Sequence, residues 1–420
     1  MSRSRSASYA LRFVFLIFTV SFATTCSDED SDFEATQTLL SLDPEVIPIL
    51  SKDKWVYATD IDGNLLDIAK VEGRERVILT SNNRIDKFNL TVVNGELAAD
   101  GHTFISLTTY ADIEMGATFD IASVSGFGAE DAGTVAFKIN SYNGPEHGIS
   151  ISNRSTFTDY EETIIGNSYN AITTMYGLPS DVLFSGYRNG VPVYTRIMDV
   201  KDGDYLELDM NKDFSPFEHQ RRLDFKGQNT GVVLGAYLDT NGNLKSSYFN
   251  LIASDQLKET KDQTDQPVIG YIDGFDIYDL YVTHSNPSGY TTYRKRGDIK
   301  PSFSSFIIPA FNYKILSNDL REFHFEFSED FSYSTASFTH ESSKLHLGWS
   351  IHAPQGTVVN ITNVPREILD AYPMIWLDRL TYKGCTLTKI IAGDTYRESI
   401  LRTANDPARE VEYYTFSPYR

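Results

Sequence analysis

Two runs, Trp55-Val-Tyr-Ala-Thr59 and Leu65-Leu-Asp-Ile68, separated by Asp60-Ile-Asp-Gly-Asn64, decide how the chain is read. Short runs of β-branched and aromatic residues suit a pleated, half-buried surface. Asp62-Gly63 between them offers the positive φ that a tight hairpin turn needs. Turn pairs of the same kind recur at Asn94-Gly95, Asp100-Gly101, Asn143-Gly144, Asn189-Gly190, Asp202-Gly203, Asn241-Gly242 and Asp273-Gly274. Strand-like runs fill the intervals, among them Phe88-Asn-Leu-Thr-Val-Val93, Thr103-Phe-Ile-Ser-Leu-Thr108 and Thr134-Val-Ala-Phe-Lys-Ile139.

Many short strands joined by glycine-bearing turns predict a mainly β chain of tandem Ig-like β-sandwich domains with few short helices. The expected units are 45–135, 136–262 and 263–420, with the charged stretch 254–266 as a short polar helix or linker. Residues 156–172 read as looser, with room for a helical turn. A short helix is expected at Pro365-Arg-Glu-Ile-Leu-Asp-Ala371, since proline suits a first turn and Pro373 ends it. The turn Asp239-Thr-Asn-Gly-Asn-Leu244 echoes Asp60-Ile-Asp-Gly-Asn-Leu65, which reads either as a repeated hairpin unit or as a similarity imposed by hairpin geometry, the second being preferred.

The N-terminus has a different character. Arg3, Arg5 and Arg12 precede a short apolar run, Phe13 to Phe22, and then Ala23-Thr-Thr-Cys-Ser-Asp-Glu-Asp30. A charged segment followed by so short an apolar run reads as an export signal over 1–25, not a membrane span, which needs roughly twenty residues. The cysteine after small residues, followed by serine and acids, resembles the signal and acidic export tag of Bacteroidota-type surface lipoproteins. Ala23 and Thr25 stand where that signal usually has leucine and glycine or alanine. The resemblance implies lipidation of Cys26, a tether over 26–44 and an outer-membrane, cell-surface location.

The formal charge is −20, with 57 acidic against 37 basic residues. Nucleic acid and anionic membrane faces would be repelled by such a chain and are not expected partners. Cys26 and Cys385 are the only cysteines, so neither a disulfide framework nor a thiolate zinc site is available, and Cys385 reads as a small core residue.

Chemistry-bearing residues concentrate in the last third. Alternation in Glu322-Phe-His-Phe-Glu-Phe327 and in Lys344-Leu-His-Leu-Gly-Trp-Ser-Ile-His352 puts phenyl and aliphatic groups on one face and polar groups on the other. Were the two strands neighbours, His324, Glu326, His346 and His352 would converge as zinc ligands; the alternative is the wet face of an amphipathic sheet. Arg296-Gly297-Asp298, in a basic cluster, matches an integrin-type adhesion tripeptide if it forms an exposed tip; the alternative is a charged loop with ordinary salt bridges. Trp55, Trp349 and Trp376 are candidate ligand-stacking residues, though mainly core positions are expected for all three. Neither the Asp273, Asp276, Asp279 series nor the Asp60 turn has the spacing of a calcium loop. GxSxG, HExxH and Walker motifs are absent from the sequence. The expectation is therefore a non-enzymatic binding or adhesion module, without cofactor, for an extracellular polysaccharide or envelope protein. The alternative is a secreted hydrolase using carboxylates or a histidine metal site in the last domain.

Overall fold

A computed structural model of the chain describes residues 36–42, 53–72, 76–98, 100–119, 132–143, 148–153, 159–222, 230–237, 248–252, 268–298, 309–361, 363–393, 395–401 and 410–419. Among the described residues the protein is mainly β, with several sheets, no barrel and two short α-helices. Cys26 with its signal, the 254–266 stretch and the 239–244 turn lie outside the described residues. Among the described residues no helix is long and apolar enough to cross a membrane.

Hairpin chemistry works as expected where it is local. Asp53–Thr59 pairs antiparallel with Leu65–Val71, and Gly63 takes φ 84°. Asp60 closes that turn, its carboxylate accepting from the Asp62 and Asn64 backbone amides at 3.0 and 2.8 Å. Ser180–Arg188 and Val191–Val200 join through Asn189-Gly190, both at positive φ, as a two-residue turn matched to strand twist demands. Gly95 departs from expectation: it lies inside the strand Lys87–Leu97, not at a turn. A Cβ there would sit 2.3 Å from the Tyr372 hydroxyl, so the glycine admits a ring and does not reverse the chain. The 159–172 region is likewise a hairpin, Asp159–Ile165 on Ser168–Tyr176 about Gly166 at φ 64°, and holds no helical turn.

The described strands between 132 and 216 form a two-sheet sandwich. One sheet is ordered Asp159–Ile165, Ser168–Tyr176, Ala132–Asn140, Tyr205–Asp209; the other is Ser215–Pro216, Val191–Val200, Ser180–Arg188, Ile149–Asn153. Phe137, Tyr169 and Leu208 of the first share one apolar core with Ile151, Phe184 and Val193 of the second.

Twelve of the other described strands build one sheet that crosses the expected domain boundaries. Thr103–Glu114, from the first expected unit, pairs in parallel with Leu345–Pro354, from the last. Thr230–Tyr237 and Tyr248–Ile252, expected within the second unit, pair into the same sheet through Ile277–Asn286. Trp349 sits at the parallel junction, buried, its indole N–H donating to Thr109 Oγ1 at 2.9 Å. The tether expectation is also shortened, because Gln37–Leu42 is a strand between Val77–Ser81 and Ala117–Phe119. Leu39, Leu40 and Leu42 are buried with Val56, Phe88 and Leu90 of the long sheet, so the apolar run belongs to a core.

Two elements cover the long sheet's opposite stretches of apolar surface. The helix Arg366–Ala371, at the expected place behind Pro365, buries Ile368 against Ile105, Leu347 and Trp349. The hairpin Tyr313–Ser317 with His324–Phe327 packs Tyr313, Phe325 and Phe327 toward Leu387, Phe416 and Phe311. Cys385 lies in that core; burial pushes its thiol up to about 12, which suits a packing residue and not a nucleophile.

Candidate functional site

The hairpin over the long sheet creates the candidate site. Its two strands are amphipathic: Phe323, Phe325 and Phe327 turn inward, while His324 and Glu326 are exposed. Phe323 stacks on Tyr382 at 5.2 Å and meets Phe338 edge-on at 5.6 Å; Phe327 contacts Phe416 at 5.3 Å. These ring contacts fix the hairpin's height above the sheet and leave a cleft beside it.

That cleft has a volume of about 480 Å³. Ser334, Ala336, Ile351 and Ala353 of the sheet, the strand His324–Phe327, Phe331 and the segment 354–359 line it. Val358, at the 354–359 wall, is 71% exposed, which leaves an apolar side chain facing solvent at the rim. The strand His324–Phe327 pairs on one side with Tyr313–Ser317; among the described residues no strand pairs with its other side. A free strand edge carries backbone donors and acceptors in a row, a ready template for another extended chain.

A second, more polar hollow of about 260 Å³ lies by the hairpin loop, lined by Asn318, Asp319, Arg321 and Asp378 among others. Next to Leu377 of that lining, Trp376 is 44% exposed, with the Arg379 guanidinium 3.9 Å from the ring centroid. The tryptophans thus divide. Trp349 is core, Trp55 is half-buried against the core with Lys70 at 5.8 Å from its ring, and Trp376 presents surface, contrary to the expectation of a core position.

No protein-family model, curated protein or solved structure matches this chain. The site is therefore judged on its own geometry.

The four expected zinc ligands do not come together. His324–Phe327 pairs with Tyr313–Ser317, while Leu345–Pro354 lies between Tyr333–Glu341 and Thr103–Glu114. The facing was read correctly but the neighbour was not. Glu326 lies 3.9 Å from Lys314, His346 lies 3.7 Å from Glu341, and His352 Nδ1 is 3.0 Å from Thr335 Oγ1. Arg296-Gly297-Asp298 is not an exposed tip: Arg296 and Gly297 are buried in the strand Gly289–Gly297, where Arg296 pairs with Asp279, and Asp298 alone is exposed. Sequence reasoning missed the cleft's 354–359 wall. The signal was Pro354-Gln-Gly-Thr-Val-Val359, a turn followed by two apolar residues with no partner run nearby.

Proposed function

We propose that the chain is a lipid-anchored binding protein, displayed at the outer-membrane surface through Cys26, that captures an extended segment of an envelope protein in the phenyl-lined cleft. The observation that carries the binding mode is the edge of His324–Phe327 that lines that cleft and that no strand among the described residues pairs with. Backbone pairing along such an edge supplies affinity, and the apolar floor takes alternate side chains of the incoming strand. The formal charge of −20 favours a ligand with basic flanks.

Binding is tested with an array of extended peptides of alternating apolar and polar residues and lysine-bearing ends. Val358→Glu is expected to weaken the best peptide by about tenfold, as a desolvated carboxylate at an apolar rim costs on the order of 1–2 kcal/mol. Because Val358 is exposed, the fold is retained. Equal binding by wild type and V358E would place the ligand elsewhere. A glycan array run beside it addresses the polysaccharide reading, which draws on exposed Trp376 and the polar hollow. Binding there with none to peptides would replace the cleft by that hollow.

The location has its own test. Cys26→Ser is expected to move the protein from the membrane to the soluble fraction, since acyl chains contribute about 0.8 kcal/mol per buried methylene. Continued membrane association of C26S would remove the anchor from the reading.

A further inference from the structure

Glu218, His219 and Asp273 each bring one donor atom into a group whose members lie within 4.8 Å of one another. None of the three lines the cleft. The chain path explains the convergence. His219–Arg222 pairs antiparallel with Val268–Tyr271, with His219 opposite Tyr271, so the two acidic flanks of this ribbon are brought to one end. Both segments are pinned: Phe217, just before the trio, and Ile269, Tyr271 and Ile272, just before Asp273, are buried in the same core. Gly270 lets them close up, because a Cβ there would sit 2.4 Å from the Phe217 ring. Gly274, at φ 94°, then turns the chain away directly after Asp273.

The imidazole is held as well as placed. Its ring stacks on Tyr271 at 4.8 Å and 27°, and Nε2 lies 2.9 Å from Asp273 Oδ2. On the other side of the balance, the Arg221 guanidinium is 5.8 Å from the Tyr271 ring, a cation near the group but not among its donors. A lone exposed histidine–aspartate contact would be an ordinary ion pair of small value. Here a second carboxylate also comes within 4.8 Å, so the group offers one nitrogen and two oxygens from separate side chains.

We propose that Glu218, His219 and Asp273 form a binding site for a divalent cation of the zinc class. One nitrogen and two oxygen donors fit zinc, whose ligand distances near 2.0–2.2 Å place neighbouring ligands roughly 3.4 Å apart; calcium and magnesium prefer all-oxygen shells. Three protein donors leave a coordination position for water, and the exposure of Glu218 and Asp273 leaves room for it. The ribbon touches the sandwich strand Val191–Val200, where the Phe217 amide donates to the Pro192 carbonyl at 3.2 Å and the Phe217 ring meets Tyr194 at 4.8 Å, and it runs into Ile277–Asn286 of the long sheet, so the ion clasps the two together.

The test uses the full mature chain, dialysed against chelator and titrated with zinc chloride by calorimetry, with thermal melts in parallel. One zinc site is expected, together with a rise in melting temperature that calcium and magnesium chloride do not reproduce. His219→Ala should lower zinc affinity by about a hundredfold and abolish the rise; Glu218→Gln should lower it by about tenfold. In chelator alone both variants should melt with the wild type, since the side chains are not core. The proposal is overturned if wild type shows no zinc-dependent stabilisation, or if H219A and E218Q bind zinc as tightly as wild type.

Discussion

Replacing Asp279 with alanine is expected to lower the free energy of unfolding by about 3–5 kcal/mol, the range for removing one member of a buried ion pair. Asp279 is 1% exposed and faces two guanidiniums on the next strand. Register places it opposite Arg296 and one step diagonal from Arg294. Arg294 forks onto the carboxylate, Nε to Oδ1 at 2.9 Å and Nη2 to Oδ2 at 2.6 Å, while Arg296 Nε donates to Oδ2 at 3.0 Å. Tyr281, 4.3 Å from the Arg294 guanidinium, and Tyr413, whose hydroxyl accepts from Nη1 at 3.1 Å, enclose the fork. Burial alone would lower the Arg294 pKa. The hydrogen bonds and charge of Asp279 outweigh that and hold it above the ordinary value. Alanine would leave two guanidiniums desolvated on one sheet face without this carboxylate. The cost is therefore the stranded charge, more than the lost bonds. Asp279→Asn, which keeps an acceptor but not the charge, should fall between. The check is a shift in denaturant midpoint at constant slope. A loss under about 1 kcal/mol for D279A would mean that solvent reaches the pair.

The same three residues show what sequence reading catches and what it misses. Turn chemistry is local, so Asn189-Gly190 and the Asp60–Asn64 turn were legible from their residues alone. Periodicity is local too: the inward phenyl groups of 323–327 and the inward Leu345, Leu347 and Trp349 stand where alternation put them. Strand neighbours are not local. Nothing between residues 114 and 345 announces that Thr103–Glu114 will lie parallel to Leu345–Pro354, because a parallel pair has no connecting turn. That one junction undoes the expectation of separate first and last domains, and the choice of neighbour for 324–327 undoes the four-residue zinc site. Arg296 was misplaced for a related reason. Tyr290-Thr-Thr-Tyr-Arg-Lys-Arg looks like a basic tip, but with strands on both sides its alternate arginines point at a buried aspartate. The Glu218, His219, Asp273 group depends on the pairing of two segments whose partners, from Arg222 with Val268 to His219 with Tyr271, are distant in sequence, so no spacing rule could find it.

His352 supplies the second large effect, and it depends on pH. Its ring stacks against Tyr110 at 5.0 Å, Nδ1 is 3.0 Å from Thr335 Oγ1, and the Tyr396 hydroxyl donates to its backbone carbonyl at 2.9 Å. Tyr396 opens the short helix Tyr396–Leu401, whose Arg397 pairs with Glu114, so this face of the sheet is capped where the parallel junction runs. Burial pushes the imidazole down to about 4 from 6.5. The folded protein thus holds His352 neutral over a range in which the unfolded chain binds a proton. Stability is then at its full value above about pH 6.5 and declines as pH falls, until His352 is protonated in both states below about 4. A shift of this size corresponds to roughly 3 kcal/mol, at 1.36 kcal/mol per unit. His352→Gln keeps a polar planar group able to meet Thr335 and removes the titration. The expected result is a variant somewhat less stable than wild type at pH 7.5, because the stacking on Tyr110 is weakened, yet losing about 3 kcal/mol less between pH 6.5 and 4. Unfolding curves of both proteins at half-unit steps across that interval measure the difference. Parallel declines would assign the acid sensitivity to other groups and would mean that the cap over His352 admits water and a proton without unfolding.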